Sequence, residues 1–189
     1  GTFYRLSLPA LLEDRQKVLY LDTDLVVVRD VTELYDTPLN DALLAGVRDL
    51  VMKSFAGGGV HAIAEIGNMK CSRYLSDKLG IRDPSDYFQA GVLLLNLDRL
   101  RAQKVADRMI SALRHEKFWF LDQDVFNKYA RGRVKYLSAK WNVVYMDDAH
   151  LQWLDDSDRS TYQAALDDPW IVHYAGLAKP WKGVEHPHA

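Results

Sequence analysis

A single cysteine, Cys71, stands in the 189-residue sequence, so no intrachain disulfide can form. Such sparing use fits a reducing compartment. No apolar run approaches the roughly 20 residues that a membrane-spanning helix needs. Residues 1–10 carry no basic stretch followed by an apolar one, so no secretory leader is expected. Neither sign of charge dominates. Lys and Arg number 24 against 26 Asp and Glu, for a formal net charge of −2. That balance speaks against a general nucleic-acid binder. The small basic group Arg131, Arg133 and Lys135 reads as a solvated helix end. Internal repeats and low-complexity segments are also missing.

What remains is ordinary for a globular protein: 48% hydrophobic and 26% charged residues, enough for one domain with a sizeable core. Residues 1–14 read as a short helix with Leu6, Leu8, Leu11 and Leu12 on its apolar side and Pro9 near a turn. An apolar strand is expected over 17–28, interrupted by Asp22 and Asp24. Further buried strands are expected over 42–47 ("ALLAGV"), 89–97 ("QAGVLLLNL") and 170–174 ("WIVHY"), with a short one at 134–137. Strands apolar on both faces imply a mainly parallel sheet covered by helices. Amphipathic helices are expected over 99–114, 122–130 and 158–166. Residues 53–87, with Gly57-Gly58-Gly59, read as a long surface excursion.

Four clusters could carry chemistry. Asp22 and Asp24 stand two apart, and on a strand such residues share a face. Both carboxylates could then reach one hard divalent cation. Alternatively, the strand ends at Leu21 and the acids sit in a solvated loop. His173 lies in an apolar strand just before Gly176, where a histidine is usually a satisfied core residue. A neutral imidazole would suit Mn²⁺ better than Mg²⁺. Asp122, Gln123 and Asp124 open a helix, where carboxylates routinely cap. One could cap while its neighbour faces a cleft. Ala90 and Gly91 start a strand with almost no bulk, which serves either tight packing or a flat ligand against backbone.

Taken in order, "VLYLDTDLVV", "FQAGVLLLNL", "LDQDVFN" and "HYAGLAKPW" resemble the bacterial members of glycosyltransferase family 8. The family includes lipopolysaccharide galactosyl- and glucosyltransferases. The resemblance runs from Thr2 to about Gly183. It implies a GT-A type, Rossmann-like α/β fold, with the whole of 1–189 as the later part of one catalytic domain. The implied reaction is a retaining transfer of galactose or glucose from a UDP-sugar to a glycan such as lipopolysaccharide, with Mn²⁺, or Mg²⁺, as cofactor. Asp22, Asp24 and His173 would hold the ion. Arg5, Thr23, Ala90, Gly91, Gly176 and Lys179 would meet the donor, and Asp49 would lie beside the sugars. Gln123 or Asp122 would assist at the reacting carbon.

The resemblance has departures. Gln89 stands where the family usually has asparagine. The family's N-terminal segment for uracil and ribose precedes the start of this chain, and a basic, aromatic C-terminal tail, a means of peripheral contact with a membrane, is missing as well. The expected location is cytoplasmic, at or near the inner membrane. Two alternatives stay open: an inactive or truncated homologue that binds sugar or a partner without turnover, and a haloacid-dehalogenase-type phosphatase with Asp22 as nucleophile.

Overall fold

The computed structural model describes residues 3–60, 62–176 and 179–183. Thr2, where the resemblance begins, lies outside them. Along the chain run α1 (Tyr4–Leu11), β1 (Lys17–Leu21), β2 (Leu25–Val27), α2 (Thr32–Tyr35), β3 (Leu44–Arg48) and α3 (Leu50–Ser54). Next come α4 (Cys71–Arg73), which continues as a wider helical turn over Tyr74–Leu79, then β4 (Phe88–Asn96), α5 (Leu97–Ala102), α6 (Val105–His115) and α7 (Leu121–Ala130). The last part holds β5 (Val134–Tyr136), β6 (Val143–Val144), α8 (Asp148–Leu151), α9 (Asp156–Asp167) and β7 (Ile171–His173).

Two sheets form. The larger has the order β1-β4-β3-β5 and the smaller β2-β7-β6. The α/β class with flanking helices holds, but the strand directions correct the mainly parallel expectation. β4 runs antiparallel to both β1 and β3, and β2 antiparallel to β7; only β3–β5 and β6–β7 are parallel. β4 reads as doubly buried because its neighbours are strands and both of its faces are covered. Phe88 and Val92 through Leu95 are fully buried. Coverage of both faces, not direction, selects an apolar run.

The run over 17–28 is not one buried strand. The chain changes sheet at the acids, and β1 and β2 each lie at the edge of a different sheet. β1 is only partly buried throughout, and Val26 and Val27 on β2 are exposed. An apolar, β-branched run reports strand preference, and depth depends on what packs above it.

Two other expectations change. The single helix over 99–114 is broken at Lys104, which takes a left-handed φ of 49°. On an unbroken helix the buried sets Leu97/Leu100 and Val105/Met109/Ala112 would face roughly a third of a turn apart. The break lets both reach the core. The stretch 53–87 is no mere surface excursion, since Ile63, Cys71, Tyr74, Leu75 and Leu79 join the main apolar cluster with β4 and α7. Pro9 lies inside α1 and is itself buried.

Candidate active site

Asp22 and Asp24 straddle the seam between the two sheets. Asp22 N–H donates to the Gly91 carbonyl at 2.8 Å, adding one more bond to the β1–β4 ladder. The Asp24 carbonyl accepts from Tyr174 N–H at 2.9 Å, extending β2–β7. Only Thr23, exposed, lies between them. The acids therefore sit in a bend, as the loop alternative had it, but the sheets converge their carboxylates. The β2–β7 register sets His173 opposite Leu25. His173 Nε2 stands 3.3 Å from Asp24 Oδ1 and 3.9 Å from Asp22 Oδ2.

One ligand atom from each of Asp22, Asp24 and His173 lies within 4.8 Å of the others. Two carboxylates and an imidazole make a donor set suited to a divalent cation. His173 is almost wholly buried, and that burial pushes its imidazole below the ordinary value against the pull of Asp24 and Asp22. Burial thus favours the neutral ring, the form a metal ligand takes. Burial opposes the charge on Asp24, but the hydrogen bond and charge of the Lys179 ammonium on Oδ2 hold the carboxyl below its usual range. Lys179 also donates to the Tyr174 carbonyl. Tyr20 OH donates to Asp22 Oδ1 at 2.8 Å.

A second group joins β3, β4 and α7. Gln123 Oε1 accepts from Ala90 N–H at 2.9 Å, and its Nε2 donates to Asp49 Oδ2 at 3.0 Å. Asp49 Oδ1 accepts from Met52 N–H at 2.9 Å and so caps α3. Burial pushes the Asp49 carboxyl up, against these hydrogen bonds. Asp122 is 3% exposed, with Arg5 Nε 2.6 Å from its Oδ2. The buried Arg5 also donates to the Ala90 carbonyl, lies 3.4 Å from Asp22 Oδ1 and covers the Tyr20 ring. It thereby ties the two acidic groups together.

The turn presenting Asp122 and Gln123 is strained: Leu121 has a φ of 46°, in the left-handed region. It is held by Asp124, which is fully buried and accepts from Tyr74 OH at 2.6 Å, Tyr87 OH at 2.6 Å and Phe120 N–H at 2.7 Å. Of "LDQD", then, Asp124 anchors the turn, Asp122 pairs inward, and Gln123 faces outward.

A cleft of about 570 Å³ opens over both groups. Asp22, Asp24, His173, Asp49, Gln123 and Gly176 line it. Arg5, Ala90, Gly91 and Asp122 stand behind that lining, while Thr23 and Lys179 adjoin the acids. Also in the lining, and missed by sequence reading, are Phe55, Phe120, Tyr145 and His150. His150 Nδ1 lies 2.6 Å from Asp147 Oδ1. Nothing but the capping spacing of "DDAH" signalled that pair. Asn142, whose Oδ1 is 2.9 Å from His173 Nδ1, carried no sequence signal.

A family model described as "Glycosyl transferase family 8" matches residues 1–185. The chain is 25% identical to general stress protein A of Bacillus subtilis (strain 168), over all of this chain and 62% of that protein. It is 28% identical to lipopolysaccharide 1,2-glucosyltransferase of Escherichia coli (strain K12), over 87% of this chain and 44% of that one. Among solved structures, the apo bifunctional glycosyltransferase WbbM matches with a TM-score of 0.89 and 35% identity, over 95% of this chain and 32% of that one. The galactosyltransferase LgtC, in complex with donor and acceptor sugar analogues, matches with a TM-score of 0.70 and 29% identity, over 95% of this chain and 60% of that one. The chain thus spans less than two thirds of each of these relatives.

Proposed function

Because the chain belongs to glycosyl transferase family 8, we propose that it carries the metal and sugar sites of an enzyme transferring galactose or glucose from a UDP-sugar to a glycan, with retention at the anomeric carbon. The fold is correspondingly of the GT-A type. The observation that carries the reading is the meeting of Asp22, Asp24 and His173 in the lining of the 570 Å³ cleft. The phosphatase alternative falls with the family assignment.

Asp22, Asp24 and His173 would hold a divalent cation, Mn²⁺ in preference to Mg²⁺ because one ligand is an imidazole. When bound, such an ion neutralises charge on a diphosphate leaving group. Lys179, already beside Asp24, would turn its ammonium to the same phosphates. Gly176, exposed at a φ of 86°, gives backbone access that a side chain would obstruct. Thr23 and Gly91 complete the donor side.

The sugar would lie over Ala90, between Asp49 and Gln123. The Gln123 amide, fixed by Ala90 N–H and Asp49, then faces the oxocarbenium-like carbon with its geometry already set. Arg5 pairs with Asp122 and directs it inward, so Asp122 would act on that carbon from behind the cleft lining and not by contact. The Phe55, Phe120 and Tyr145 wall would receive the acceptor by stacking on sugar faces.

The lipopolysaccharide glucosyltransferase relative supports a lipopolysaccharide glycan as acceptor. No helix among the described residues is long and apolar enough to cross a membrane. A lipid-linked acceptor would be met at the cytoplasmic face of the inner membrane. The test is UDP release across a panel of UDP-hexoses, with Mn²⁺ and with chelator, for the wild type, Asp22→Asn and Asp24→Asn. Metal-dependent release lost in both variants supports the reading. Release that survives them overturns it, and UDP binding without release from any donor identifies a binding homologue instead.

A further inference from the structure

His173 can offer Nε2 to a cation only if its proton sits on Nδ1. A neutral imidazole can carry the proton on either nitrogen, so the surroundings must choose. The choice traces back, through two side chains, to a backbone N–H, a group that can only donate. Gly91 N–H meets the side-chain amide of Gln89, so the atom it meets is the oxygen, Oε1. That Oε1 lies 2.7 Å from the Asn142 amide, which must therefore present Nδ2. Asn142 Oδ1 is thereby turned the other way, 2.9 Å from His173 Nδ1. Facing an acceptor, Nδ1 carries the proton. Nε2 keeps its lone pair toward Asp24 Oδ1 and Asp22 Oδ2.

The opposite tautomer would reverse every link. Asn142 would have to put Oδ1 against Gln89 Oε1, two buried acceptors at 2.7 Å with no proton between them. The fold supplies the parts. Gln89 and Gly91 are two apart on β4 and share a face. Gln89 sits at the β3–β4 irregularity, where the register shifts between Gly46 and Val47, and such a shift re-aims a side chain. Its extra methylene lets the amide fold back over Gly91, whose missing Cβ would otherwise stand 2.8 Å from Oε1. Asn142 is 6% exposed and tied by its own N–H to the Ala139 carbonyl at 3.1 Å.

We propose that Gln89 and Asn142 form a one-way hydrogen-bond relay, set by Gly91 N–H, that locks His173 in the Nδ1–H tautomer and makes Gln89 a positioning residue for the cation site. What Nε2 is used for rests on the metal-dependent reading above; the tautomer itself does not.

The test separates the two. Long-range ¹H–¹⁵N correlation spectra of the metal-free protein, with the His173 signals assigned by their loss in His173→Ala, report the tautomer directly. Expected is Nδ1–H with an unprotonated Nε2. Gln89→Leu frees the Asn142 amide, so the spectrum should show mixed tautomers. Mn²⁺ affinity by electron paramagnetic resonance should fall on the order of 10–100-fold. Gln89→Glu, whose oxygen still accepts from both partners, should keep the wild-type tautomer. Asn142→Leu is the second variant, removing the acceptor at Nδ1 should Gln89→Leu fail to fold. A wild-type spectrum with the proton on Nε2, or folded Gln89→Leu and Asn142→Leu proteins with an unchanged tautomer, overturns the relay. A tautomer that responds as expected in a protein that binds no Mn²⁺ upholds the relay and overturns the metal reading.

Discussion

Gly91 lies so close under the His173 imidazole that a Cβ there would overlap ring atom Cε1. The same Cβ would stand 2.9 Å from Asp22 Oδ2. The absence of one methyl group therefore makes room for two of the three proposed cation ligands. Gly91→Ala should cost about 1–3 kcal/mol through overpacking. It should also lower Mn²⁺ affinity on the order of 10-fold or more by moving His173 and Asp22. Thermal melting with a Mn²⁺ titration checks both, and wild-type affinity in a folded Gly91→Ala protein would contradict the packing argument.

Lys179 and a cation would compete for the same carboxylate. The ammonium rests on Asp24 Oδ2 and, with 14% of its side chain exposed, is only weakly screened. Lys179→Met should therefore tighten Mn²⁺ binding without nucleotide by about fivefold, the equivalent of ~1 kcal/mol for a partly exposed pair. The same variant should transfer sugar more slowly, because the charge proposed to meet the diphosphate is gone. Titration with and without UDP reads the two effects separately. A fall in nucleotide-free affinity would show that Lys179 supports the site instead of competing for it.

What could be read in advance follows from which signals are local. The apolar run at β4 and the turn residues around the helices are consequences of short-range chemistry, and they appear where expected. Strand direction is not local, since β4 gains its apolar content from coverage of both faces whichever way its neighbours run. Asp22 and Asp24 were legible as a pair from their spacing, but His173 joined them only through the family pattern, because it stands far along the chain on β7, which pairs with β2 across the smaller sheet. Asn142 caps the 3₁₀ turn Ala139–Trp141 and carried no pattern at all. Its part emerges only from the distances to Gln89 and His173. Asp124 read as one of several helix-start acids, although it is the one that is wholly buried.

That burial makes Asp124 a test of how the strained Leu121 turn is held. Three donors converge on its carboxylate, while burial pushes the carboxyl above its ordinary value against them. Asp124→Asn sets an amide N–H against at least one of these donors. The expected loss is about 2–4 kcal/mol, the scale of unmaking buried hydrogen bonds to a charged group. Turnover should fall as well, because Gln123 is presented by the same turn. Tyr87→Phe removes a single donor and should cost about 1–2 kcal/mol with little change in turnover. Equal loss of turnover in both variants would argue against the turn as the link.

Glu116 at the end of α6 joins three helical segments through lysines. Lys78 Nζ lies 2.6 Å from Oε2, and Lys128 Nζ lies 3.0 Å from the same oxygen. These hydrogen bonds, first from Lys78 and then from Lys128, hold the carboxyl below the ordinary glutamate value of 4.5. The group is therefore easier to ionise in the folded chain than in the unfolded one. Its stabilisation is complete above about pH 4.5 and is lost as pH falls through the depressed folded value. Because 29% of the Glu116 side chain is exposed, about 1 kcal/mol is expected after solvent screening. Glu116→Gln should destabilise the protein by that amount at pH 7, less at high salt, and not at all below the folded pKa. Urea unfolding of both proteins from pH 7 to pH 3 measures the difference directly. A gap that stays constant with pH would assign the effect to packing and not to charge.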